Sequence, residues 1–363
     1  MKIGILTYHR TLNYGGCLQA LAMRLLLEEM GHEAYYVDYW PRYHQASYDI
    51  FSFEKFLRQR GIKAKVKLLL EAIKFGRKAI RRKKTFECFL HEQVYPFCKP
   101  ITETFDIIVY GSDQIWRKQA ALNSYNPIYF GENEIKAKNH IAFSASMGII
   151  PTDEKDKVFV ANLLRKLDAI SVREEQLCEF VINYCHLPAT VTLDPTLVVD
   201  RSIWKNLVKR TSDYNAYILV YALHNDFDIN SIRQYAKSRG LMVKVLYGDA
   251  KKKETSTVIN TAGPYEFLSL IYNANMVFTS SFHGLCFSLI YEKEVFVSFS
   301  TNSDRAKSLL QLAGIPERFL PPHCDCPHSF EPIDYDLVNN KIGLERQDSI
   351  SYLKDKCVIT NNK

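Results

Sequence analysis

The sequence is poor in several features that would assign it to a special class. No apolar run approaches the roughly 18–20 residues that a membrane-spanning helix needs. The opening MKIGILTYHR has too short an apolar stretch for a signal peptide and reads as a β-strand, so the expected location is the cytoplasm. Nine cysteines in 363 residues are few, scattered and odd in number, which excludes a secreted disulfide scaffold and favours free thiols. There is no internal repeat or low-complexity tract, and 47% hydrophobic residues exclude a disordered chain. A G-x-S-x-G elbow is missing, so an α/β-hydrolase is unsupported. No full G-x-G-x-x-G occurs, which weakens a dinucleotide reading. Acidic residues are almost missing from one stretch: residues 55–84 hold 13 Lys/Arg and only Glu71, so +12 in that window sits on a body of −5.

What remains is a strand–helix alternation. Residues 3–8 form an apolar run, Asn13-Tyr14-Gly15-Gly16 a turn cluster, and 17–30 a helix apolar almost all round. Residues 34–38 follow as a strand, which makes a βαβ unit and implies a parallel sheet. Further strands are expected at 106–110, 140–146, 169–172 and 189–193, with helices at 154–167 and 174–184. A second series has strands at 216–223, 241–247, 276–280 and 294–300, with helices at 227–238, 264–273, 283–291 and 304–313. The fold class is α/β, with two Rossmann-like domains at 1–200 and 201–363 joined near 195–214 and a basic helical insertion at 50–90.

Chemistry is expected where strands end. Asn13–Gly16 precedes a helix whose free N–H groups attract anions or polar ligands. Gly111-Ser112-Asp113-Gln114 leaves another strand; Asp113 could act as a base or a turn former, and Gln114 could hold a sugar by paired hydrogen bonds. Thr279-Ser280-Ser281-Phe282-His283-Gly284 carries hydroxyls and an imidazole straight into a helix N-terminus, a setting for a phosphate beside a proton donor. Arg173 and Arg305 are cations that suit a small polyanion if both face one cleft. His323-Cys324-Asp325-Cys326-Pro327-His328 lacks zinc-site spacing and reads as a surface loop, so no metal is expected. In the basic segment Val66, Leu69, Leu70, Ile73 and Ile80 recur at helical spacing among Lys and Arg. That pattern suits either a solvated face or an anionic membrane surface; no nucleic-acid motif accompanies it.

In order along the chain, NYGG leading into CLQALAMRLLLEEMGHE, DIIVYGSDQIW (106–116), AFSASMG (142–148), ISVREE (170–175), LDPTL (193–197), SSFHGLCFSLIYEKEVFV (280–297) and NSDRAKSLLQLAGI (302–315) resemble the polysaccharide pyruvyl transferase family. The resemblance implies a GT-B-like pair of domains facing a cleft. It also implies transfer of pyruvate from phosphoenolpyruvate (PEP), as co-substrate without a cofactor, onto two hydroxyls of a sugar or lipid-linked oligosaccharide. It makes His283, with Arg173 and Arg305, the residues that handle PEP; the strand–helix junction read above adds His283 as general acid, with Ser280, Ser281 and Gly284 beside the phosphate. Asp113, Gln114, Asn13, Tyr14, Gly15 and Gly16 fall on the acceptor side. Some relatives carry R-x-H where this chain has Ser281-Phe282-His283, and Arg305 is the expected substitute. The rival readings are a nucleotide-sugar glycosyltransferase of the same architecture and a non-catalytic sugar-binding relative.

Overall fold

The computed structural model describes residues 1–44, 61–132, 135–208, 216–223, 226–248, 255–301 and 303–358. Within them lie two parallel sheets. The first is built from β1 (Lys2–Leu6), β2 (Glu33–Asp38), β3 (Cys98–Pro100), β4 (Ile107–Tyr110), β5 (Asn139–Ala145), β6 (Ala169–Val172) and β7 (Thr190–Val191), in the order β3-β2-β1-β4-β5-β6-β7. The second contains β8 (Tyr217–Ala222), β9 (Met242–Tyr247), β10 (Val258–Ile259), β11 (Met276–Thr279) and β12 (Glu294–Val297), ordered β10-β9-β8-β11-β12. In both, the order reverses direction beside the first strand, which opens a crevice at the strands' carboxyl ends. This is the expected α/β class with two Rossmann-like sheets.

The helices between strands are α1 (Tyr14–Glu29), α2 (Ile62–Gln93), α3 (Glu154–Leu164), α4 (Glu175–Glu179), α5 (Pro195–Val198), α6 (Arg201–Leu207), α7 (Ile229–Ser238), α8 (Pro264–Tyr272), α9 (Phe282–Ile290), α10 (Asp304–Ala313) and α11 (Tyr335–Lys356). The single helix expected at 174–184 is instead α4 running into a π-turn at Phe180–Tyr184. Residues 50–60 of the basic insertion, 209–214 of the expected joint and Asn302 lie outside the described residues.

The interface between the halves is apolar and continuous with the core. Tyr14, at the start of α1, stacks on Phe267 of α8 at 4.5 Å and on Phe86 of α2 at 5.2 Å. Its phenol donates to the Ala262 carbonyl (3.0 Å) and accepts from Arg82 (2.8 Å). The last helix, unexpected from sequence, begins against the second sheet and ends on the first. Tyr335 donates to the Lys293 carbonyl, while Ser349 accepts from Leu193 N–H and Tyr352 donates to the Ala142 carbonyl.

Candidate active site

The crevice gathers loops from both sheets, and their meeting point is a glycine against an imidazole. Asn13 caps α1 by accepting from the Gly16 N–H at 3.1 Å. That cap sets Gly15 so close to His283 that a Cβ there would sit 2.0 Å from Nδ1. Only a residue without a side chain permits this approach. His283 lies in the first turn of α9, where Ser281 is the N-cap and accepts from the Gly284 N–H at 3.3 Å. Gly284 packs as tightly on Thr279, and Ser280 accepts from the Leu223 N–H at 2.8 Å.

On its other side His283 meets a residue that sequence reasoning missed. Asp194, just after β7 and fully buried, places Oδ2 at 3.4 Å from His283 Nε2. The same oxygen accepts from Arg173 Nη1 at 2.5 Å and from the Ser112 hydroxyl at 3.0 Å. Its other oxygen accepts from Thr196 N–H and Oγ1. Burial alone would raise the Asp194 carboxyl, but His283, Arg173 and Thr196 outweigh it and hold it well below the usual carboxylate range. The sequence carried a signal for it: an Asp-Pro at a strand end within LDPTL.

Arg173 follows β6 and packs its guanidinium 4.6 Å from the Phe282 ring centre; Arg305, at the start of α10, lies 5.4 Å from the same ring. Between them stands Glu174, also missed. Its Oε1 accepts from the Ser146 hydroxyl and lies 3.8 Å from Arg305 Nε and 3.9 Å from Arg173 Nε. Burial raises the Glu174 carboxyl despite both cations. Burial and then the neighbouring Arg173 charge lower Arg305. Among the described residues, Nε and Nη2 of Arg173, Nε of Arg305 and Oε2 of Glu174 are buried with no hydrogen-bond partner. Unsatisfied buried groups of this strength normally await something.

Two adjoining cavities open beside this cluster. One of about 420 Å³ is lined by Glu174, Arg305, Ser303, Asp304 and residues 147–150. The other, about 450 Å³, shares residues 147–150 and adds Gln114, Arg117, Lys118, Tyr125, Asp153 and Asp156. Asp113 sits in a left-handed conformation (φ 61°), accepts from the Gln114 N–H at 2.8 Å and approaches Gly16. Of the residues expected from sequence, Arg305 lines the first cavity and Gln114 the second. His283, Arg173, Ser280, Ser281 and Gly284 form the buried wall behind. Tyr14 does not fit the acceptor side: it is 1% exposed, and its hydroxyl is engaged within the interface described above. Among the described residues, no three His, Cys, Asp or Glu side chains are grouped to hold a metal ion.

The family model for polysaccharide pyruvyl transferase matches residues 13–303, which takes in Asn13–Gly16, Asp113, Arg173, Glu174, Asp194 and His283 and stops just short of Arg305. The chain belongs to that family. It is a transferase acting in polysaccharide biosynthesis, and its acceptor is a sugar. No curated protein sequence matches it significantly. Solved structures similar to the transferase include the Methanocaldococcus jannaschii UDP-GlcNAc 2-epimerase, at 10% identity and TM-score 0.42, covering 95% of this chain and 93% of that one. S. aureus MnaA is similar at 9% identity and TM-score 0.46, covering 98% and 88%. The calicheamicin glycosyltransferase CalG4 is similar at 13% identity and TM-score 0.38, covering 98% and 97%.

Proposed function

We propose that the transferase takes its pyruvyl group from PEP and closes a cyclic ketal on two hydroxyls of a sugar. The observation that carries this is the set of unmet guanidinium N–H groups on Arg173 and Arg305, both close to the Phe282 ring at the α9 N-terminus. PEP bears about three negative charges near neutral pH, because a phosphate monoester has its second pKa near 6. Two arginines and a helix N-terminus suit such an anion. Arg305 takes the place of the cation that some relatives carry two residues before the histidine.

The reaction protonates the PEP methylene carbon while one sugar hydroxyl bonds to C2. The C2–O bond to phosphate then breaks, and the second hydroxyl bonds to the same carbon. His283, held by Asp194 on one side and Gly15 on the other, is the general acid serving the departing phosphate. Ser281 and the α9 amides steady that phosphate. Asp113 and Gln114 face the acceptor, whose saccharide occupies the second cavity. No cofactor or metal enters the scheme.

The basic segment supports an acceptor carried on lipid at the inner membrane face. Ile62, Val66, Leu69, Leu70 and Ile80 of α2 are exposed among Lys63, Lys65, Lys74, Arg77, Lys78 and Arg81. An apolar stripe amid cations suits an anionic surface. Among the described residues no helix is long and apolar enough to cross a membrane.

His283→Ala should leave PEP binding nearly intact and cut phosphate release about 10²–10⁴-fold, the usual loss for a general acid. Near-normal release would refute its role. Mass spectrometry on a hexoside panel identifies the transfer, since a pyruvyl ketal adds about 70 Da and a hexose about 162 Da.

A further inference from the structure

Ketal formation from PEP moves two protons. Both leave the acceptor hydroxyls; one ends on the methylene carbon, which becomes a methyl group, and the other leaves on inorganic phosphate. His283, at the phosphate-facing helix terminus, accounts for one of them. The carbon needs its own donor.

We propose that Glu174, which lines the 420 Å³ cavity beside Arg305, is that donor: its buried Oε2, which has no hydrogen-bond partner, delivers the proton to the PEP methylene carbon. The inference rests on PEP being the donor substrate. Three observations support it. Glu174 lines the cavity, whereas His283 is enclosed between Gly15 and Asp194. Ser146 fixes Oε1, which leaves Oε2 as the reactive oxygen. The charged groups around Glu174 are Arg173, Arg305 and Asp194, with Asp304 on the cavity rim. In the free protein burial pushes the Glu174 carboxyl up while the two arginines pull it down. When a trianion enters, it takes up the unmet N–H groups of both arginines, so their field at Glu174 is neutralised. The carboxylate then sits buried beside new negative charge and binds a proton. Substrate binding thus loads the acid. The bond made is C3–H and the bond broken is the Glu174 O–H. The carboxylate left behind accepts the proton of an attacking sugar hydroxyl, which restores it for the next turnover.

Titration calorimetry of the full chain with PEP, at pH 7.5 in two buffers of different ionisation heat, counts protons taken up on binding. The wild type should take up about one proton more than Glu174→Gln, as linkage requires of a group that titrates on binding. Turnover of Glu174→Gln on the hexoside panel should fall about 10²–10⁴-fold. Glu174→Asp, which keeps a carboxyl, should retain the proton uptake while losing rate, and melting curves report whether each variant is folded. Equal proton uptake by wild type and Glu174→Gln, with PEP bound in both, overturns the assignment. Failure of the wild type to bind PEP overturns the donor reading instead, and the assignment with it.

Discussion

Replacing Gly15 with alanine should separate catalysis from stability. The new methyl would lie 2.0 Å from His283 Nδ1, 2.4 Å from Cγ and 2.7 Å from Cε1. Ordinary carbon contacts begin at about 3.4–3.5 Å, so the ring must retreat by more than about 1 Å. It retreats toward Asp194, which already holds Arg173, and the imidazole is turned from its working position. A misplacement of about 1 Å costs on the order of 10²-fold in rate. Stability responds far less. Overpacking a filled site costs about 1–3 kcal/mol, while alanine for glycine inside α1 returns up to about 1 kcal/mol of helix propensity. At roughly 2–4 °C per kcal/mol for a large domain, the melting temperature should drop by only a few degrees. Phosphate release from PEP and a calorimetric melt on the same preparation supply both numbers. Turnover within threefold of wild type would refute the argument that the Gly15–His283 contact positions the acid. A collapse of the melt would show the contact to be structural first.

Other substitutions probe the buried charges and the basic helix. Asp194→Asn leaves Arg173 buried without its main counter-charge, a loss of about 3–5 kcal/mol that should lower the melting temperature by about 10 °C. Because the Asp194 carboxyl is held below the usual range, its stabilisation begins to fall as pH drops below the unfolded pKa and is gone once pH has passed the lower native value; wild type and Asp194→Asn melts should converge in strong acid. His9 is buried, with its pKa lowered to about 4, so the unfolded chain takes up its proton first as pH falls. Stability should decline by about 3 kcal/mol between pH 6.5 and about 4, and His9→Gln should flatten that part of a urea-midpoint profile. Neutralising Lys74, Arg77, Lys78 and Arg81 together should release the protein from anionic vesicles at low salt without changing turnover on soluble hexosides; unchanged sedimentation would leave α2 as solvated surface.

The fold was legible because each β-run and its following helix announce themselves locally. Ile107–Tyr110 is apolar throughout, and Gly314, in the left-handed conformation, ends α10. The site was legible only in part. Strand ends pointed to His283, Arg173 and Arg305, yet Asp194 lies 89 positions before His283 and nothing local links them. Glu174 was hidden by its neighbour: beside an arginine and another glutamate it reads as one surface charge among many. Its burial depends on the ends of β5 and β6 meeting Arg305, a contact that no local sequence shows. Tyr14 failed for the opposite reason, since a tyrosine in a polar turn looks available until Phe267 closes over it. The short β3 and β10 owe their existence to the neighbours they pair with, and their own side chains carry no alternating pattern.

The aromatic seam at Tyr14 has a bearing on how substrate is admitted. Two lobes joined by a flexible linker must swing shut on their ligand, and part of the binding energy goes into that closure. Here the lobes are packed together by stacked rings and strapped by the final helix, so any closing motion has to disturb that packing.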